Sequence, residues 1–177
     1  MKSFSTVSTR EKVTLKNEKN SEKLEKLLPG KKRYFVHASD KSLNNPNAPS
    51  VSDKLPLTRT GQLPKVEVFK EDCPVMITSN HPKAKYKNNE ICNGTRGRID
   101  SIQTSLSDPD VDEVIWVKFN NPKVGQLLRL DSQDLLEKHK PNDPLAVPIT
   151  RQKKQFFVKG NTEYMRNQFP LTLAYAV

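Results

Sequence analysis

Cysteine is scarce in this chain: Cys73 and Cys92 are the only two, and they are not spaced as Cys-x-x-Cys. Two cysteines are too few for a disulfide framework, which favours an intracellular, reducing compartment. No apolar stretch approaches the roughly 18 residues needed to cross a bilayer, and the N-terminus lacks the apolar block of a signal peptide. We therefore expect a protein that is neither secreted nor embedded in a membrane.

The sequence also lacks three kinds of chemical motif. The pattern Gly-x-x-x-x-Gly-Lys-Ser/Thr does not occur, so the chain lacks the loop that cradles nucleotide phosphates and places Mg²⁺. With three histidines and no Ser-His-Asp or paired-carboxylate grouping, no catalytic residue is assigned. Cys73, His81 and Cys92 match no metal-ligand spacing, so no metal site is assigned either. We expect the isolated chain not to hydrolyse ATP.

Positive charge is what the sequence has in excess. Its 177 residues contain 30 Lys and Arg against 20 Asp and Glu, a formal charge of +10, and only 34% are hydrophobic. The excess is 13 against 6 in residues 1–60 and 17 against 14 in residues 61–177, so both parts are basic. Nucleic acid is the commonest partner of such a chain, although a solvated basic surface gives the same sum.

The first third of the chain predicts a strand, a helix and a long loop. Residues 13–15 are β-prone, and the leucines of residues 17–28 share one helical face that Pro29-Gly30 ends. A second strand is predicted at residues 34–38. Residues 39–64 are rich in Pro and Asn without periodicity, which predicts an irregular excursion and a domain boundary.

The remainder of the chain is rich in short β-prone runs separated by turn residues. Five such strands predict a small barrel. A brief helix over residues 131–139 and an extended stretch over residues 155–158 follow. The five predicted strands are Val66–Phe69, Val75–Thr78, Gly97–Gln103, Val114–Phe119 and Gly125–Leu130.

The segment from His81 to Arg98 is the strongest candidate for a nucleic-acid-binding surface, because it contains five basic residues and only one acid, Glu90. Basic side chains neutralise phosphates, and Tyr86 is placed to stack on a base. The turn dipeptide Asn93-Gly94 would make a rigid loop from which phosphate contacts project. A solvated basic loop would have the same composition. The candidate DNA-binding residues are Lys83, Lys85, Tyr86, Lys87, Asn93, Thr95, Arg96 and Arg98.

A second basic patch surrounds two phenylalanines near the C-terminus. Phe156 and Phe157 could instead belong to the core. The basic residues of this patch are Arg151, Lys153, Lys154 and Lys159.

These segments, in this order, resemble the C-terminal half of Pif-type helicases, the RecD-like branch of superfamily 1. The run Leu28-Pro-Gly30, with the following Tyr34–Asp40, is similar to the start of the family's second RecA-like domain. Cys73-Pro-Val-Met-Ile77 and Cys92-Asn-Gly-Thr-Arg-Gly97 are similar to the start of its SH3-like insertion. Phe169-Pro-Leu-Thr-Leu-Ala-Tyr-Ala176 is similar to the lead into its motif that couples DNA to ATP.

The resemblance, over residues 13–177, implies ATP-driven unwinding of DNA with five-prime to three-prime polarity, and roles in DNA repair, recombination and telomere maintenance. ATP and Mg²⁺ would serve the full-length helicase, whose P-loop lies outside this chain. This chain would bind and track single-stranded DNA beside the N-terminal motor domain that it lacks. The resemblance places it in the nucleus or another DNA-containing compartment, such as the mitochondrion.

The fold class implied is α+β or mostly β, a partial RecA-like domain carrying an SH3-like barrel. We expect a disordered N-terminus (1–12), a partial RecA-like domain (13–63), a barrel that folds alone (64–137) and a return to the RecA-like domain (138–177) that stops before the coupling motif. The RecA-like strands would belong to a parallel sheet. The alternative is a freestanding basic β-barrel module that binds nucleic acid or protein without a motor.

Overall fold

Antiparallel strands are the main regular elements of this protein, which is described by a computed structural model over residues 22–51, 55–103, 113–158 and 161–174. The strands of this part are β1 (Tyr34–His37), β2 (Ser39–Ser42), β3 (Val66–Phe69), β4 (Pro74–Ile77), β5 (Arg96–Gln103), β6 (Val114–Phe119), β7 (Val147–Thr150), β8 (Gln152–Val158), β9 (Thr162–Gln168) and β10 (Leu171–Leu173). Its helices are α1 (22–27), α2 (Ala84–Lys87), α3 (Gln126–Leu130) and α4 (Gln133–His139), with a 3-10 turn at Leu57–Arg59.

The largest sheet has five strands in the order β10-β4-β5-β6-β7. Its central strands are rich in β-branched residues, which favour extended backbone. One face packs against the two-stranded sheet β1-β3 and Leu24 of α1 to form the main core. On the opposite face, α4 covers Val114 and Trp116 with Leu135 and Leu136. The β6 strand is therefore buried on both faces over most of its length.

A second sheet, in the order β2-β9-β8, has Arg166 at its centre. The Arg166 side chain is 2% exposed, and its Nε and Nη2 donate to the two carboxylate oxygens of Asp40 at 2.7 and 2.8 Å. Its Nη1 donates to the Leu63 carbonyl at 3.1 Å. This ion pair joins β9 to β2 and to the segment that precedes β3.

A buried lysine holds α1 against the core. Lys70, directly after β3, has a fully buried side chain, and its Nζ donates to Glu25 Oε2 at 2.7 Å and to the Leu28 carbonyl at 2.8 Å. The hydrogen bond from Lys70 lowers the pKa of Glu25. Lysine side chains at a helix C-terminus satisfy carbonyls that the helix leaves unpaired. Leu24 can therefore reach the core although α1 is short.

The sequence predicted several elements correctly. Val66–Phe69 and Val114–Phe119 are strands with the expected bounds, and the mostly β fold is confirmed. The helix expected at residues 131–139 is α4, and Gly30 follows α1 with a φ of +76°. None of the helices in the described ranges combines the length and apolar character needed to cross a bilayer.

Gly125–Leu130 is not a strand but the helix α3. Its leucines, with Gln126 and Arg129, are good helix formers and include no β-branched residue, so local propensity favours the helix. Gly125 begins it in the left-handed region, with a φ of +71°. The five-stranded sheet recruits β7 and β10 instead, and within the described residues it is open rather than a closed barrel.

The parallel sheet expected for the RecA-like strands is also wrong for the described residues. β1 pairs antiparallel with β3, and Leu171–Leu173 pairs antiparallel with β4. Residues 39–42, expected to be irregular, form β2 because they pair with β9. The strand expected at residues 13–15 and the disordered segment 1–12 lie outside the described residues.

We expect Arg166→Ala to lower the free energy of unfolding by about 3–5 kcal/mol, because it leaves the Asp40 carboxylate buried without its main partner. Urea unfolding measures the change, with the exposed Gln155→Ala as the control from the neighbouring strand. The Asp40→Ala/Arg166→Ala double variant should lose less than the sum of the single variants. Additive losses would show that the two side chains act independently.

Candidate nucleic-acid interface

Tyr86 anchors the loop that joins β4 to β5. Its ring is 4% exposed and lies edge-on to His81, with the ring centroids 4.7 Å apart. Its hydroxyl donates to Asp131 Oδ2 at 2.8 Å. Lys85 Nζ lies over the same ring and pairs with the same carboxylate at 2.5 Å. The loop is therefore fixed to the segment between α3 and α4.

The structure does not present Tyr86 for the base stacking expected of it, because a buried ring offers no face to a base. Burial lowers the pKa of His81, and the hydrogen bond from Lys85 lowers the pKa of Asp131. A carboxylate with a lowered folded-state pKa stabilises the fold at neutral pH, and this contribution is lost as the pH falls through that pKa. Lys83 and Lys87 of the same loop remain exposed.

The turn after this loop places the start of β5. Gly94 adopts a φ of +94° and donates its N–H to the Ile77 carbonyl. The Asn93 N–H donates to Asn80 Oδ1 at 2.9 Å, and Thr95 Oγ1 donates to the Glu90 carbonyl at 2.7 Å. Asn93 and Thr95 thus brace the turn, and Arg96 follows it on a fixed backbone.

Three cations share one exposed face of the five-stranded sheet. Arg96 and Arg98 alternate with buried residues along β5, and Lys118 lies directly opposite Arg98 on β6. Gly97, between the arginines, has no room for a Cβ, which would lie 2.6 Å from the Lys118 carbonyl and 2.8 Å from Val117 Cγ1. Glycine therefore lets β6 approach β5 closely. We call Arg96, Arg98 and Lys118 the cationic face.

This arrangement is unfavourable for the fold alone, since like charges directly opposite each other destabilise a sheet. Two neighbours offset part of the repulsion. Asp143 pairs with Lys118, which raises the pKa of Lys118, and Arg98 Nη1 donates to the Asp72 carbonyl at 3.0 Å. We find no ion pair for Arg96 within the described ranges. A bound phosphate would relieve the remaining repulsion.

Sequence reasoning missed Lys118. The sequence feature that could have identified it is its position in the run Val114-Ile-Trp-Val-Lys-Phe119, where it is the only charged residue in an apolar strand. Period-2 alternation places Lys118 on the face opposite to Val117 and Phe119. The register with β5, which makes it a neighbour of Arg98, comes only from the structure.

The second basic patch does not form one surface. Arg151 pairs with Glu113, donates to the His37 carbonyl at 2.9 Å and lies over the Phe169 ring, so it is a structural residue. Lys154 lies on the inner side, against Gly61, and only Lys153 is exposed among the three described members. Lys159 lies outside the described residues.

The two cysteines differ in accessibility. Cys73 is buried, and burial raises the pKa of its thiol to about 12. Cys92 is partly exposed, and its Sγ lies 3.4 Å from Thr95 Oγ1. In the part of the chain that the structure describes, no three His, Cys, Asp or Glu side chains are grouped so that they could hold a metal ion.

We expect Tyr86→Phe to lower the free energy of unfolding by about 1 kcal/mol, because the substitution removes a hydrogen bond to a carboxylate and keeps the buried ring. Urea unfolding measures the change, and Asp131→Asn tests the same hydrogen bond from its acceptor side. In an NMR titration with a thymidine oligonucleotide, the Tyr86 ring protons should keep their shifts. Large upfield shifts of these protons would instead show that the ring leaves the core to stack on a base.

The fold is similar to part of solved Pif1 helicases. Pif1 from Candida albicans matches over 97% of this chain and 34% of its own, with a TM-score of 0.51 and 18% identity. Pif1 from a Bacteroides species, in complex with ADP-AlF4, matches over 90% of this chain and 28% of its own, with a TM-score of 0.42 and 15% identity. Bacteroides Pif1 bound to ssDNA matches over 89% and 28%, with a TM-score of 0.39 and 14% identity.

No protein-family model and no curated protein matches the sequence. The chain spans about a third of the length of the Candida helicase. At this level of identity the likeness is one of fold, and the described residues have the fold of a portion of a Pif1 helicase.

Proposed function

We propose that this chain is part of a Pif1-like DNA helicase and contributes contacts to single-stranded DNA rather than nucleotide hydrolysis. ATP and Mg²⁺ would be bound by a motor domain that works beside it, and unwinding would proceed from five-prime to three-prime. The likeness of fold and the family segments of the sequence support the helicase assignment. The RecA-like and SH3-like identities of the individual segments belong to the same proposal.

The cationic face is the observation that supports DNA contact. Arg96, Arg98 and Lys118 are exposed, and the Arg98–Lys118 pairing retains a repulsion that the Asp143 carboxylate offsets only in part. Arginine and lysine bind phosphates through charge-assisted hydrogen bonds. No exposed aromatic side chain from the 81–98 segment accompanies them, so this face would recognise the backbone rather than the bases. Binding here should therefore be salt-sensitive and tolerant of sequence.

Exposed lysines lie close to the cationic face along the chain, in the loop before the start of β5. Lys83 immediately precedes α2 and Lys87 is its last residue, in the loop that Tyr86 fixes, and the turn at Asn93-Gly94 connects this loop to Arg96. Lys85 contributes less, because Asp131 already neutralises it. We assign Lys83 and Lys87 as secondary phosphate contacts and Lys85 as a brace of the loop.

We expect the Arg96→Gln/Arg98→Gln/Lys118→Gln variant to bind a thymidine oligonucleotide more weakly and with a flatter salt dependence. Each lost phosphate contact should reduce the slope of log K against log [salt] by about 0.7. Fluorescence anisotropy over a salt series gives both values. The matched control is Lys26→Gln/Lys32→Gln/Arg59→Gln, which removes the same charge from exposed positions elsewhere.

A gain-of-function arm tests the geometry of the face. Asp143→Asn releases Lys118 from its carboxylate partner and should raise the affinity for the oligonucleotide by a few-fold, in line with the contribution of up to about 1 kcal/mol from an exposed ion pair.

Equal salt-dependence slopes for the two triple-glutamine variants would exclude the cationic face as a binding site, since only the net charge would then matter.

The rival function, a basic β module that binds nucleic acid without a motor, is favoured by one observation. Leu171–Leu173, expected to join a parallel RecA-like sheet, instead pairs with β4, and the Ala174 N–H donates to the Pro74 carbonyl at 2.9 Å. Leu171 is fully buried in the main core. A strand with its own partner does not require a second motor domain for its burial.

Amide hydrogen exchange on the full chain distinguishes the two functions. If β10 is a permanent part of this sheet, we expect the Ala174 amide to exchange as slowly as the Ile99 amide of β5, which donates to the Cys73 carbonyl. Fast exchange at Ala174 beside slow exchange at Ile99 would favour the helicase assignment, because the strand would then be available to a neighbouring domain.

A further inference from the structure

The outward face of the sheet β2-β9-β8 has an order that the strand register fixes. The first row across the sheet is Ser39, Asn167 and Lys153, and the second is Lys41, Met165 and Gln155. In the third row, Phe157 lies beside Glu163, whose carbonyl accepts the Leu43 N–H at 2.9 Å. The opposite face, with Asp40, Arg166 and Tyr164, is covered by the chain that follows β2. Among the described residues, no segment covers the outward face.

Phe157 is the unusual member of this face. It is 59% exposed, whereas the adjacent Phe156 is buried against Tyr164, with the two rings stacked at 5.8 Å. Phe156 therefore already supplies the aromatic side chain that the core needs at this point. An exposed phenylalanine on an open sheet gives the fold little stability and costs solubility.

The charges on this face have the sign of a phosphate partner. Lys41 and Lys153 are exposed on the two edge strands, and Glu163 is the one acid that the register places in these rows. Lysines on edge strands also protect a sheet from pairing with another chain, which would account for the lysines alone. That protection does not account for an exposed aromatic ring beside Gln155 and Glu163.

We propose that this face is a second contact surface for single-stranded DNA, with Phe157 stacked on a base and Lys41 and Lys153 on the flanking phosphates. Along β8, Phe157 lies four positions after Lys153, a distance of about 13 Å, and Lys41 lies two strands away, about 10 Å across the sheet. Open antiparallel sheets bind unpaired bases on exposed aromatic side chains with basic residues beside them. The proposal extends DNA contact to a second sheet and does not depend on the cationic face.

The test uses the full chain and a thymidine oligonucleotide. We expect Phe157→Ala to weaken binding about 5-fold or more, the low end of the effect of losing one stacked base. The matched control is Phe35→Ala, because Phe35 is 60% exposed on the separate sheet β1-β3. Neither substitution should shift the urea midpoint appreciably, since both side chains lie outside the core.

A second pair of variants detects stacking directly. Phe157→Trp should retain affinity, and its fluorescence should be quenched when the oligonucleotide is added, whereas Phe35→Trp should not respond. The same measurements in the Arg96→Gln/Arg98→Gln/Lys118→Gln background separate the two surfaces. Quenching that persists in this background supports the present proposal, even if the cationic face proves not to bind DNA. Unchanged affinity of Phe157→Ala together with no quenching in Phe157→Trp would overturn it and leave the face to a protein partner.

Discussion

The buried ion pair between Arg166 and Asp40 is the interaction on which the arrangement of the described sheets depends. It joins the central strand of the three-stranded sheet to its edge strand and, through the Leu63 carbonyl, to the chain that enters β3. The strand β3 pairs with β1, and both pack on the five-stranded sheet. The ion pair therefore connects the three-stranded sheet to the main core. Lys65 Nζ, 3.6 Å from Asp40 Oδ2, adds a second cation to the carboxylate. Neither member of such a pair can be removed without leaving a buried charge.

The five-stranded sheet combines a core and a charged surface along a single strand. In β6, Trp116 is buried under α4, while Lys118, two residues later on the same face, is exposed. The helix covers only one end of this face, so the other end is free to present cations. Arg98 faces Lys118 there because Gly97 allows the strands to approach. The position at which α4 stops therefore decides where the sheet can meet a ligand.

Local patterns in the sequence were sufficient for the β-branched runs and for the turn at Asn93-Gly94. They failed at Gly125–Leu130, where leucines suit both a strand and a helix and the helix-forming residues around them decide. Exposure was harder to predict than secondary structure, because it depends on distant partners. In the sequence, nothing distinguishes Arg166 from the other basic residues, because its partner Asp40 lies 126 positions away in the chain. The lysines around Tyr86 predict a stacking residue, but its hydroxyl donates a hydrogen bond to Asp131, which lies 45 positions away.

The burial of Tyr86 has a consequence for the entropy of binding. A loop of free backbone loses about 1–2 kcal/mol per residue when a ligand orders it. Here the hydrogen bond to Asp131 and the contact with His81 have already ordered the backbone during folding. Lys83 and Lys87 would therefore lose only their own side-chain freedom on meeting a phosphate. A tyrosine that never touches the ligand thus makes the association of its neighbours less costly.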